Sequence, residues 1–379
     1  MRIRETIPII STDILVIGNG LAGIRAACNA KKDDLEVTLI AKGHGASPWI
    51  WGFNAPVGPG DSEEVFFQDI ISSGTGINDF ILAKTLAGEA LRSFKELESE
   101  GIEFNKVDGQ YRLLQPLGCS VPRYVQCGYD TGKRIHEHSK RKFLSKGGRI
   151  IQDIDVYELI TDQAGVAGAI GFDLKKRTFI IFFAKVTVLC TGGCSNIYPF
   201  TTYPKDIRGD GYVMAYKAGA TLIDMEFLQF EPCTAIFPEA IKGHPILTTM
   251  LMEGARLLNS AGERFMLQYD PQHGEKVQKD VLARRIYAEI TKGKASKHGG
   301  VLFDSTVLDR DVLMKGHSLI YDTVLRHGVD MKREFVEVAP GAHTMLGGVL
   351  INEFCETTVP GLMAAGEVTG GLHGAKRIG

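Results

Sequence analysis

The chain has little of what marks a nucleic-acid-binding, membrane-spanning or secreted protein. Its 43 basic and 45 acidic residues leave a formal charge of −2, which gives no electrostatic case for a polyanion or an anionic bilayer. Nucleic acid is therefore not an expected partner. No apolar run reaches the length of a transmembrane helix, and direct membrane insertion is not expected. The most apolar segment, Thr178 to Cys190, is interrupted by Lys185 and reads as adjacent sheet strands. The opening Met1-Arg-Ile-Arg-Glu-Thr-Ile-Pro8 has no signal-peptide pattern. The seven cysteines include no Cys-x-x-Cys pair, and their odd number in such a chain points to reduced thiols and a cytoplasmic location. Cys190 and Cys194 flank a Thr-Gly-Gly turn, where buried structural cysteines are commoner than a redox pair. No cysteine spacing suits an iron–sulfur cluster, so any such cluster would belong to a partner protein. Internal repeats and low-complexity segments are also missing.

What is present is glycine-rich and dispersed. Asp13-Ile-Leu-Val-Ile-Gly-Asn-Gly-Leu-Ala-Gly23 is an apolar strand entering Gly18-x-Gly20-x-x-Gly23, followed by a helical stretch. The first glycine permits a tight turn, the second admits a pyrophosphate to the backbone, and the third lets helix and strand pack. The next strand, Leu35 to Ile40, ends in Ala41-Lys42 where this fingerprint normally has an acidic ribose ligand. Three later segments share the character: the strand ending in Thr191-Gly192-Gly193, the Arg208-Gly-Asp210-Gly211 entry to a helix, and the strand ending in Gly366-Glu367. A nicotinamide needs one compact unit, whereas FAD must be held along a longer path. FAD is the cofactor expected.

Length and pattern predict an α/β fold with a Rossmann-like FAD-binding domain and an inserted α+β capping domain. The 379 residues are too many for one ordinary core. Residues 1–225 and 345–379 are assigned to the FAD domain, and 226–344 to the cap. The apolar period Ile81, Leu82, Leu86, Leu91, Phe94 and Leu97 predicts a helix from Asn78 to Gly101. Lys133 to Lys146 predicts a basic, exposed helix. Cap helices are expected at Val281 to Ile290 and at Leu313 to His327.

Taken in order, these segments resemble the flavoprotein subunits of fumarate reductase and succinate dehydrogenase, and their soluble relative L-aspartate oxidase. The resemblance runs from about Thr12 to Gly379. It rests also on Asp130-x-Gly132, Met225-Glu-Phe-Leu-Gln-Phe230, Asn259-Ser-Ala-Gly-Glu-Arg-Phe-Met266, His343-Thr-Met-Leu-Gly-Gly348 and His373-Gly-Ala-Lys-Arg377. It implies hydride transfer between flavin N5 and a small organic acid, with a proton moved at the neighbouring carbon. Carried over by position, the cofactor-binding residues are Gly18, Gly20, Gly23, Lys42, Thr191, Gly192, Gly193, Asp210, Gly366, Glu367 and His373. The catalytic set is His343, Arg377, Arg256, Glu253, Lys279 and Glu231, with the Arg377 guanidinium as the main carboxylate contact.

Five departures from the family pattern qualify the substrate. Glu231 stands where the family has a substrate-binding histidine, and Lys279 where it has the proton-delivering arginine. The Gly-Glu-Gly-Gly loop after Arg256 is absent. Trp49 and Trp51 replace small residues against the flavin, as stacking elements or as ordinary core. The sequence stops at Gly379, where the family pattern continues into a helical part. Like charges about 4 Å apart repel by roughly 4 kcal/mol at an effective dielectric near 20, so an ionised Glu231 is expected to reject a second carboxylate. A partly desolvated Lys279 can still donate a proton, with Glu253 to reload it. His44 is displaced from the position of covalent flavin attachment, so non-covalent FAD is expected. The favoured reading is an oxidoreductase for an acid other than fumarate. A true fumarate reductase or succinate dehydrogenase flavoprotein, or a non-catalytic electron-relay module, are the alternatives.

Overall fold

In the computed structural model, residues 7–31, 34–128 and 130–378 are described. Gly379 and the first six residues lie outside them. The main sheet orders its strands Arg149–Gln152, Val37–Ala41, Ile9–Ile17, Thr178–Leu189, Gly165–Asp173 and Ile154–Asp162, with Leu362–Ala364 also paired to Thr178–Leu189. The fold is α/β, as expected, but Thr178–Leu189 is one long strand rather than two adjacent ones. Its length follows from its neighbours. On one side it runs parallel to Ile9–Ile17 from Ile181 to Leu189. On the other it pairs antiparallel with Gly165–Asp173 through Phe183, then parallel with Leu362–Ala364 from Thr187. Its last three residues are buried on both faces, whereas its first half alternates and leaves Phe179 and Phe183 exposed.

Five parallel strands therefore end together, at Gln152, Ala41, Ile17, Leu189 and Ala364. Crevices beyond the carboxyl ends of such strands are where open α/β sheets bind ligands. The helix Leu21–Ala30 follows the first strand, with buried Gly23, Ile24, Ala27 and Cys28 as its packing face. The predicted long helix is Phe80–Ser99, started by the Asp79 carboxylate accepting from the Ile81 and Leu82 N–H groups. It ends at Gly101, whose φ of 92° lets the chain turn away. The basic helix is Thr131–Ser145.

A second, four-stranded antiparallel sheet orders Leu228–Phe237, Val336–Met345, Val301–Asp304 and Arg256–Leu258. Helix Lys279–Glu289 packs on it through Leu282, Ala283 and Ile286. The expected helix from Leu313 to His327 is two helices, Arg310–Gly316 and Ser318–Arg326, broken at His317. This layer has its own core, including Leu257, Phe265, Ile286, Phe303 and Val338. Trp51, from the first sheet's side of the chain, packs against that core, while Trp49 is 67% exposed. Of the two readings for the tryptophans, core packing holds for Trp51. Among the described residues no helix is long and apolar enough to cross a membrane.

Candidate flavin and substrate site

A cleft of about 350 Å³ opens at the carboxyl ends of the parallel strands. Gly18, Asn19 and Gly20 form its floor, and Lys42, Thr191, Gly192, Asp210, Gly366 and Glu367 contribute walls. The fingerprint glycines are required individually. Gly18 has φ 117°, and a Cβ there would lie 2.2 Å from the Cys190 carbonyl oxygen. A Cβ on Gly23 would lie 1.9 Å from the Gly18 carbonyl, so this glycine serves strand–helix packing and does not line the cleft. Gly193 is likewise a packing residue. A Cβ on it would meet the Glu367 carboxylate at 2.2 Å.

The cleft fits a long polar ligand such as FAD. Both side-chain polar atoms of Asn19 and the Thr191 hydroxyl are buried without a partner, and both residues line the cleft. Buried polar atoms of that kind call for a ligand or solvent to satisfy them. The helix Leu21–Ala30 opens on the cleft at Gly20, with the Leu21 N–H donating to Ser47 Oγ at 2.8 Å. Lys42 makes an ion pair with Asp155 at 2.9 Å, and both line the cleft. A carboxylate thus does stand in the cleft wall, on Ile154–Asp162, a strand more than a hundred residues after the second, and the fingerprint could not reveal it. His44 is exposed and does not line the cleft.

Glu367 joins this cleft to a second group of side chains. Its carboxylate accepts the Met345 N–H at 2.9 Å and a short hydrogen bond from the Tyr203 hydroxyl. Burial pushes its pKa up. Tyr203 meets the His343 ring edge-on, with centroids 6.3 Å apart, and Thr202 Oγ1 is hydrogen-bonded to His343 Nδ1 at 2.7 Å. His343 Nε2 lies 4.0 Å from Glu231. Lys279, the first residue of its helix, donates to Glu231 at 2.7 Å, with side chains only 12% and 5% exposed. Glu231 sits beside a register shift in Leu228–Phe237, a local irregularity of the kind that re-aims side chains.

Arg377 is set by Gln229, which donates to the Arg377 carbonyl at 2.8 Å and accepts from its Nε at 3.3 Å. Burial, then the Arg377 and Lys279 charges, hold His343 well below the ordinary imidazole pKa, so it is neutral at neutral pH. Burial and Arg377 hold His373 down to about 3. His373 is not among the residues lining the cleft, so it sits with the arginine group instead. Tyr203 and Thr202 were missed in the sequence because nothing local distinguishes them, and Gln229 was read only as part of a family segment, with no role.

Three site expectations change. Glu231 is not a free negative charge, because the Lys279 ammonium neutralises it. Glu253 makes its short hydrogen bond to the buried His317, so the relay to Lys279 has no contact in the structure. Arg256 is exposed at the start of its strand, and among the described residues it makes no ion pair. The sequence spacing of Glu253 and Arg256 carried no information about which way the intervening turn, Gly254 at φ 116°, would point them.

The FAD binding domain family matches residues 13–379, nearly all of the chain. The chain belongs to this FAD-binding family. It is 37% identical over 377 residues to a fumarate reductase (CoM/CoB) subunit of Methanothermobacter marburgensis, covering 97% of this chain and 69% of the relative. It is 31% identical over 374 residues to L-aspartate oxidase of Synechocystis sp., covering 97% and 67%. Among solved structures it resembles a mutant E. coli quinol fumarate reductase with a TM-score of 0.90 and 25% identity, over 98% of this chain and 67% of the other. The chain thus spans about two thirds of the length of these relatives. It is an FAD-dependent oxidoreductase related to the fumarate reductase and L-aspartate oxidase flavoproteins.

Proposed function

We propose that this chain moves a hydride equivalent between non-covalently held FAD and a small organic acid other than fumarate, with a partner iron–sulfur protein exchanging electrons with the flavin. The observation that carries this reading is the Glu367–Tyr203 link between the FAD-type cleft and the His343, Lys279, Glu231 and Arg377 group. FAD, when bound, supplies the hydride chemistry. The chain's own residues do the rest. Gly18 and Gly20 bring backbone to the cofactor, and Asn19 and Thr191 offer it unsatisfied polar atoms. Arg377, oriented by Gln229, grips a carboxylate, and Lys279 delivers or takes the proton at Nζ. His343, held neutral, offers a hydrogen bond rather than a charge. Assignment of Lys42, Asp210 and Gly366 to the cofactor is supported by their place in the cleft wall.

Non-covalent attachment is supported by the exposed position of His44 outside the cleft. The partner is supported by one relative's being a subunit of a larger enzyme. The test is to purify the protein, precipitate it with acid and assay the supernatant. Yellow colour released in near-equimolar amount is expected, followed by reoxidation of photoreduced flavin by one or more members of a panel of organic acids. Flavin that stays with the precipitate refutes the non-covalent claim. A flavin-loaded protein that no acid reoxidises refutes the catalytic one.

A further inference from the structure

The charges around the acid-binding group do not suit a dianion. Two cations, Arg377 and Lys279, lie beside His343 in this group, and one anion, Glu231, already takes Lys279 at 2.7 Å. Two positive charges against one negative leave a single net positive charge. The neighbouring groups do not change that count. Lys376 is taken by Asp280 at 3.2 Å and by Gln278 at 2.9 Å. Arg256 is exposed, and Glu253 is engaged with His317. His343 and His373 are both held neutral. Glu367 has both oxygens occupied by Tyr203 and Met345, and its burial raises its pKa and so favours the uncharged acid.

Resting on the FAD-oxidoreductase reading, we propose that this site takes an acid with a single carboxylate on Arg377 and an uncharged group against the Lys279–Glu231 pair. A buried ion pair that is already satisfied presents no surplus charge to a second carboxylate. For that carboxylate to bind, it would have to displace Glu231 from Lys279 and leave Glu231 buried and unpaired, which strongly disfavours the complex. An uncharged methyl, amide or hydroxyl end leaves the pair intact. Glu231 therefore excludes dicarboxylates by occupying the cation that would bind them, rather than by simple repulsion.

The test compares crotonate with fumarate, which differ by a methyl in place of one carboxylate. Both are titrated into the oxidised, FAD-loaded protein, and binding is read from the flavin absorbance change and by calorimetry. The expected result is binding of crotonate at least about tenfold tighter than fumarate, the scale of one poorly compensated charge. Glu231→Gln frees Lys279, and fumarate is then expected to tighten by about tenfold or more, so that its disadvantage against crotonate shrinks. Fumarate binding as tightly as crotonate in the unmodified protein overturns the proposal, and so does the failure of both to bind. The unmodified comparison needs no variant, so a misfolded Glu231→Gln leaves the proposal decidable. A chain that retains no flavin sinks the parent reading instead, and calorimetry on the flavin-free protein still gives the ratio. A flavin-loaded protein that prefers fumarate sinks only the charge argument.

Discussion

The cleft and the proposed acid-binding group lie next to each other but are built by opposite means. The cleft is made by backbone. Gly18, Gly20 and Gly23 act within a few residues of one another, and the turn they make follows directly from the strand that precedes them. The acid-binding group is made by side chains from distant segments. Lys279 reaches Glu231 across 48 residues, Thr202 reaches His343 across 141, and Gln229 reaches Arg377 across 148. A local motif keeps its meaning wherever it occurs, because sterics alone enforce it. An assembled group has no meaning until the fold has chosen which charges meet.

The largest way to break this contrast is at Gly18. Gly18→Ala is expected to abolish flavin retention and to lower stability by several kcal/mol, since φ 117° and a Cβ 2.2 Å from the Cys190 carbonyl leave no room to relax. Flavin content and thermal melting measure it, and an unchanged yellow protein would contradict the backbone account. Next comes Arg377→Ala. Turnover of any acid substrate should fall by about a hundredfold or more while flavin content stays near that of the unmodified protein. Loss of flavin in parallel with activity would show that the two regions are not separable as argued. The smallest effect is expected at Lys42→Ala. The Lys42–Asp155 pair is partly exposed, so removing it should weaken FAD binding by no more than roughly fivefold and leave acid binding alone. Reconstitution of the apoprotein at graded FAD concentrations checks this, and a larger loss would make the pair a principal cofactor contact.

Much of the cofactor half was legible beforehand. The strand–glycine–helix unit, the Thr191-Gly192-Gly193 turn and the Gly366-Glu367 strand end all converge on one cleft. The helix Phe80–Ser99 was legible from its apolar period and the glycine that follows it, though not from its Asp79 cap. Cofactor side chains were less so. Asp155 lines the cleft from a strand the fingerprint does not include, and Gly23, Gly193 and His373 stand outside the cleft wall. The acid-binding half was legible as a set of residue types but not as a circuit. Glu231 and Lys279 each looked like a defect in a family pattern, and only their contact at 2.7 Å makes them one neutral unit. The break at His317 was also invisible, because Leu313 to His327 keeps a helical period across it.

What the sequence by itself determined is the cofactor class, because glycine positions obey local sterics; the proposed acid-binding group entered only through the resemblance to a family. What only the tertiary structure decided is which charges cancel. Coulomb energy in a buried site depends on distances of a few ångströms between residues far apart in the chain, and no spacing in the sequence encodes those distances.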